Sequence, residues 1–226
     1  MATIGLDNLV FAPITSAEDE DEEYGEIVKL AKAINADLSV EMNEATLFAD
    51  DGVAEDVKEF KQGAISLGID DIGSENAVKI LGVKVDKNGA VVYAAENITA
   101  YGALGFRARK ANGKYRYFWL YRTKFSVPST SLQTKGDGIT FSTPTLEGTF
   151  YRRNKAAADD THPWKTEITE GEKSVNAGTV KNWFKEVYEP EFEGADSLSA
   201  AAAEPGAATK ATASSKNTTA EVKDNG

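Results

Sequence analysis

From Ile34 to Asn43 apolar and polar residues alternate without a break. Ile34, Ala36, Leu38, Val40 and Met42 fall on one side; Asn35, Asp37, Ser39, Glu41 and Asn43 fall on the other. In an extended chain a period of two sends each set to its own face, so this segment predicts a half-buried β-strand. Ile65, Leu67 and Ile69 alternate in the same way. Ile4 to Ile14 and Val83 to Val92 are weaker strands, the second interrupted by a Lys87-Asn88-Gly89 turn. Gly138 to Arg153 reads as a long strand near a sheet edge, because Pro144 cannot donate to a ladder. Val53 to Phe60 fits neither the strand nor the helix period.

Asn112-Gly113 is the preferred pair for a type I′ hairpin turn and separates two long alternating runs. A two-residue loop puts Ala111 opposite Lys114. Phe106 then faces Trp119, Ala108 faces Tyr117 and Leu104 faces Tyr121, giving one aromatic buried side. On the other side Arg109 opposes Arg116, with Arg107, Arg122 and Lys124 nearby. Like charges directly opposed are destabilising, so either acidic groups compensate them, the expected outcome, or the side chains splay into water.

Helical signals are few. Ser74 can cap a helix from Glu75 to Leu81, with Gly82 as its stop. Asn176 or Thr179 can start a second, about Ala177 to Tyr188, with Val180, Phe184 and Val187 on one face. The expected fold class is mainly β: two packed antiparallel sheets, a β-sandwich, with one or two short flanking helices. Residues 1–193 form the expected domain. Residues 194–226 contain 10 Ala and 8 Ser/Thr, and no aromatic follows Phe192. Such a segment buries too little apolar area to offset its ordering entropy and reads as a flexible tail.

The chain lacks cysteine, which removes disulfides, thiolate metal sites and cysteine nucleophiles. Its one histidine, His162, removes metal sites that need two imidazoles. The N-terminal segment lacks the pattern of a secretory signal, and no apolar run reaches the roughly 18 residues of a membrane span. A soluble protein is expected. Phosphate-cradling and dinucleotide-binding glycine motifs are missing. The doublets Asp50-Asp51 and Asp70-Asp71 read as turn chemistry, the run Glu18 to Glu23 as an exposed hairpin tip, and His162 as a loop residue beside Pro163 and Trp164. No catalytic, cofactor-binding or metal-binding residues are assigned, and no enzyme is expected.

The net charge of −11 argues against wrapping nucleic acid. Its distribution says more. Residues 1–60 hold 16 Asp/Glu against 3 Lys, whereas residues 105–155 hold 11 Lys/Arg against 2 Asp/Glu. Either these regions neutralise each other within one fold or copies associate, acidic surface to basic surface.

Several long segments carry a resemblance. They are AKAINADLSVEMNEATLFADD from Ala31, GVAEDVKEFKQGAISLGIDDIG from Gly52, GFRARKANGKYRYFWLYRTKF from Gly105, KGDGITFSTPTLEGT from Lys135 and HPWK from His162. Together these resemble the phi13-type major tail proteins of siphophages infecting Gram-positive bacteria, over about residues 2–190. The resemblance implies a tail-tube-like sandwich that assembles as hexameric rings stacked into a hollow tube for phage DNA, which passes without specific binding. It implies a virion location after synthesis in the host cytoplasm, no membrane, and tape measure, baseplate and terminator proteins as further partners. It also places a ring-stacking loop between early strands. Ala45 to Lys61 is therefore expected to reach the adjacent ring through Leu47, Phe48, Asp50, Asp51, Val53, Val57 and Phe60. Arg107, Arg109, Arg116 and Arg122 are expected to meet acidic residues of another subunit. The alternative is a monomeric extracellular β-sandwich that binds carbohydrate or a surface ligand. An acidic glycosidase comes third, requiring a cleft with two facing carboxylates.

Overall fold

The computed structural model describes residues 2–16, 22–49, 52–129, 132, 134 and 142–192. The tail at 194–226, the Asp50-Asp51 doublet, positions 18–21 of the acidic run and the stretch 138–141 lie outside them. In chain order the elements are β1 (Thr3–Pro13), β2 (Val28–Lys29), β3 (Ala33–Ala49), β4 (Gly52–Ile69), α1 (Ser74–Leu81), β5 (Lys84–Val85), β6 (Val91–Val92), β7 (Tyr101–Lys110), β8 (Tyr115–Phe125), β9 (Thr145–Tyr151), β10 (Lys165–Thr169) and α2 (Ala177–Asn182).

The mainly-β, antiparallel expectation is met. Strands run in the order β2-β1-β7-β8-β9-β4-β3, β10 pairs with β8 as well, and β5–β6 form a small second sheet. The large sheet forks at β8: β10 borders its residues 116–120, whereas β9 borders residues 122–125. Its arms enclose a core of Leu9, Phe11, Leu104, Phe106 and Leu120 from one side and Ile65, Leu67, Ile69, Leu146 and Phe150 from the other. Helix α1 adds Ala77, Ile80 and Leu81. A second core lies on the opposite face of β1, β7 and β8, where Val10, Ala12, Ala103, Tyr117, Trp119 and Tyr121 pack under Trp183 and Val187. Fully burying a large apolar side chain stabilises by about 1.5–3 kcal/mol relative to leaving it exposed. Both faces of β7–β8 contribute in this way.

Four local expectations need correction. Around Asn112 the opposed pairs are Phe106–Phe118, Arg107–Tyr117, Ala108–Arg116 and Arg109–Tyr115. The loop holds three residues, and in it Gly113 takes φ of 81° while Asn112 does not have a positive φ. A type I′ turn needs positive φ at both central residues; a left-handed glycine closing a three-residue loop shifts the register by one. The aromatic residues expected on one side therefore divide between the two cores, and Arg109 and Arg116 stand on opposite faces. Second, β3 has its alternation, yet Ile34, Leu38, Val40 and Met42 remain 40–55% exposed. As the last strand of its arm, β3 has a neighbour on one edge only. Third, β9 is internal, and Pro144 sits just outside it with its carbonyl accepting from the Ile69 N–H at 3.2 Å. Fourth, Gly73 rather than Ser74 occupies the N-cap of α1, and α2 is a six-residue helix capped by Asn176, whose side chain accepts from the Gly178 N–H.

Candidate assembly surfaces

The β3–β4 hairpin pairs continuously from Ala33–Ile69 to Ala49–Gly52. Strand β9 supports β4 only at residues 63–68. At the hairpin's base Gly63 admits the Phe150 ring; a Cβ there would lie 2.0 Å from Phe150 Cζ. Lys61 is an extra residue, a β-bulge between the Glu41–Gln62 and Met42–Phe60 pairs. A bulge re-aims the side chains beside it, and here it turns Phe60 onto the core side. Phe60 stacks on Trp164 with centroids 4.6 Å apart and on Phe150 at 6.2 Å. This stack is the last point at which the hairpin is braced by the body of the fold.

Beyond it, Phe48 lies six positions after Met42, about 20 Å of strand at roughly 3.3 Å per residue. Leu47, Phe48, Val53 and Val57 are 47–69% exposed there, and Asp50 and Asp51 lie outside the described residues. Of the residues assigned to a ring-stacking contact, Phe60 is thus part of the brace and the other four described ones form the projection. A second bulge, at Ala54, separates Leu47–Glu55 from Phe48–Val53. Bulges on both sides of residues 55–60 explain why that segment shows no single period. Polar cross-strand pairs hold the middle: Lys58 Nζ donates to Glu44 at 3.0 Å, and Thr46 Oγ1 donates to Asp56 at 3.0 Å. Lys61 pairs with Glu41 at 3.3 Å, and hydrogen bonds from Gln62 and Lys61 hold the Glu41 carboxyl below its ordinary range.

The four arginines of the other long hairpin do not form one face. Arg107 meets Asp7 through two hydrogen bonds, 2.5 and 3.0 Å, and lies over the Tyr115 ring. The Asp7 hydrogen bond, opposed by partial burial, raises the Arg107 pKa further. Arg116 pairs with Glu167, and Arg122 pairs with the buried Glu22. Burial opposes ionisation of Glu167, but hydrogen bonds from Arg116 and Lys165 outweigh it and lower its pKa. Among the described residues Arg109 is the exposed member of the four without an ion pair. Asp7 and Glu167 were not singled out by sequence reasoning, and Glu22, read as part of an exposed hairpin tip, is instead buried against Arg122; nothing local marks these pairings, since Asp7 and Glu22 each lie 100 positions from their arginine.

Trp164 was legible only as part of HPWK. In that motif the Pro163 carbonyl accepts from the Arg153 N–H, the Trp164 carbonyl accepts from the Tyr121 N–H, and His162 Nδ1 lies 3.2 Å from the Arg153 carbonyl. The motif therefore fixes Trp164 against Phe60. Two open grooves flank these surfaces. One, about 630 Å³, contains Asp7, Asp70 and Asp71. Asp7 is engaged by Arg107, Asp70 accepts from the Lys32 and Asp71 N–H groups, and Asp71 accepts from the Ile72 N–H. The other, about 400 Å³, is lined mainly by apolar groups, Leu6, Ile34, Leu38, Phe106 and Phe118 among them.

The sequence matches no protein-family model and no curated relative. Among solved structures, it is similar to a chain of the anti-feeding prophage tube-terminating cap, with 8% identity, a TM-score of 0.37 and coverage of 75% of this chain and 93% of that one. It is also similar to a chain of the six-fold symmetrised anti-feeding prophage baseplate, with 5% identity, a TM-score of 0.33 and coverage of 74% and 97%. Neither likeness is close enough to assign a role.

Proposed function

We propose that this chain is a structural virion protein, the major tail tube subunit of a siphophage, and that it assembles as stacked hexameric rings around a passage for DNA. One observation carries the reading: a long hairpin leaves the core at Phe60 and exposes Leu47, Phe48, Val53 and Val57. An isolated protein gains nothing from holding those side chains in water, whereas a repeated subunit buries them against its neighbours. The long segments similar to major tail proteins support the same reading, as does the acidic balance of the chain. A net acidic passage repels a polyanion instead of retaining it. Tape measure, baseplate and terminator proteins are the other expected partners.

Negative-stain imaging of the purified chain, and of the tail particle that contains it, tests this. Rings or tubes of uniform width support the proposal. A strictly monomeric chain that is absent from the tube and retained by immobilised polysaccharide would favour the carbohydrate-binding reading.

A further inference from the structure

Among the described residues asparagine precedes glycine at two places, Asn88-Gly89 between β5 and β6 and Asn112-Gly113 between β7 and β8. Both pairs are exposed, and sterically they match. Gly89 and Gly113 take φ of 85° and 81°, and apart from its chain neighbours no atom lies within 4 Å of where a Cβ would stand on either. Each glycine N–H donates back across its turn, Gly89 to the Asp86 carbonyl at 3.1 Å and Gly113 to the Lys110 carbonyl at 3.0 Å.

Their polar surroundings differ. At Asn88 the side-chain nitrogen donates to Asp86 Oδ2 at 3.4 Å, while Asp86 Oδ1 accepts from the Asn88 and Ala90 N–H groups, both at 2.8 Å. The bond from Ala90, followed by that from Asn88, holds the Asp86 carboxyl below its ordinary range, so an anion faces this turn. At Asn112 the side-chain oxygen accepts instead, from the Lys114 N–H at 3.2 Å. The charges flanking it in the chain are Arg109, Lys110 and Lys114, the last donating to the Gly171 carbonyl at 3.4 Å. The acid Glu170 is engaged close by, accepting from the Tyr115 N–H at 3.1 Å.

We propose that Asn112 is a site of spontaneous deamidation and that Asn88, in a turn of the same shape, is protected from it. The Gly113 backbone nitrogen gives up its proton and attacks Asn112 Cγ. The new N–C bond closes a succinimide ring, and the side-chain nitrogen leaves with that proton as ammonia. Water then opens the ring at either carbonyl, giving aspartate or isoaspartate with no change of oxidation state. The bond from the Lys114 N–H polarises the carbonyl under attack, and the flanking cations favour the deprotonated glycine nitrogen. Beside Asn88 the Asp86 anion disfavours that nitrogen and, by accepting from the side-chain amide, makes its carbon a poorer electrophile. Both glycine N–H groups are engaged, so each reaction needs its turn to open, a local event of low cost at an exposed tip. The product at position 112 places a new negative charge beside Arg109 and Lys110, and its isoaspartate form adds a backbone carbon to a three-residue loop.

The purified full chain is incubated in heavy-oxygen water at mildly alkaline pH and digested, and mass spectrometry follows label and isoaspartate at both pairs. Asn112 is expected to convert about tenfold faster than Asn88, with isoaspartate among its products. In denaturant the two should convert at similar rates, because the contrast belongs to the folded turns. Asn112→Gln, whose longer side chain does not close the same ring, should leave its peptide unlabelled. Equal native rates, a faster Asn88, an advantage for Asn112 that persists in denaturant, or label in the Asn112→Gln peptide would each overturn the proposal.

Discussion

Two long antiparallel hairpins, β7–β8 and β3–β4, use the same local chemistry to opposite ends. In β7–β8 each face meets a core of its own, and Trp119, Leu120 and Tyr121 are fully buried. Arg107, Arg116 and Arg122 are neutralised by acids from β1, β10 and the chain before β2. In β3–β4 the core ends at the Phe60–Trp164 stack, and every described side chain beyond it is exposed. One hairpin is packed on both faces within the chain; the other leaves Leu47, Phe48, Val53 and Val57 uncovered. Much of the basic charge that invites an inter-subunit explanation is thus absorbed internally, and the acidic hairpin carries the stronger argument for assembly.

The contrast is broken most severely by Trp119→Ala. Its indole packs in the second core and donates to the Trp183 carbonyl at 3.1 Å. Truncation should cost about 3–5 kcal/mol, read by denaturant unfolding of the monomer. A smaller effect is expected in alkali. Burial raises the Tyr121 pKa to about 12, and raises that of Tyr24 as well. The unfolded chain releases a phenolic proton near pH 10, so between about pH 10 and 12 the folded state binds more protons and stability falls as pH rises. The loss from Tyr121 should reach roughly 2–3 kcal/mol, and Tyr121→Phe should flatten that part of the profile. Asn176→Ala, which removes the cap of α2, should lower monomer stability by about 1 kcal/mol.

At the other extreme, Phe48→Ser should alter monomer stability by no more than about 0.5 kcal/mol, because an exposed side chain away from the core contributes little to folding. The same variant should reduce tube yield. A stability loss comparable to that of Trp119→Ala would mean that the two hairpins do not differ as described.

How much of this was legible depends on the range of the interaction. The β3 alternation, the Asn112 hairpin, the Gly82 stop and the Asn176 cap are local, and the sequence carries each. Register was not, because Asn-Gly serves both a two-residue and a three-residue loop, and one residue moves Trp119 from one face to the other. The bulges at Lys61 and Ala54 disguised β4 by breaking its period twice. The exposed apolar edge of β3 looked half-buried, since alternation records which residues share a face and not whether anything covers it. The partners of the arginines required the β1–β7 and β8–β10 pairings, which join residues far apart in sequence.

Central to this account, Leu47, Phe48, Val53 and Val57 of the projecting hairpin are exposed in the single chain and should be covered in the assembly. Hydrogen exchange on monomer and tube measures this directly, with β7–β8 as the internal reference. Low protection of 42–60 in the monomer and strong protection in the tube, against high protection of β7–β8 in both, is the predicted result. Equal protection of residues 42–60 in the two states would contradict the account.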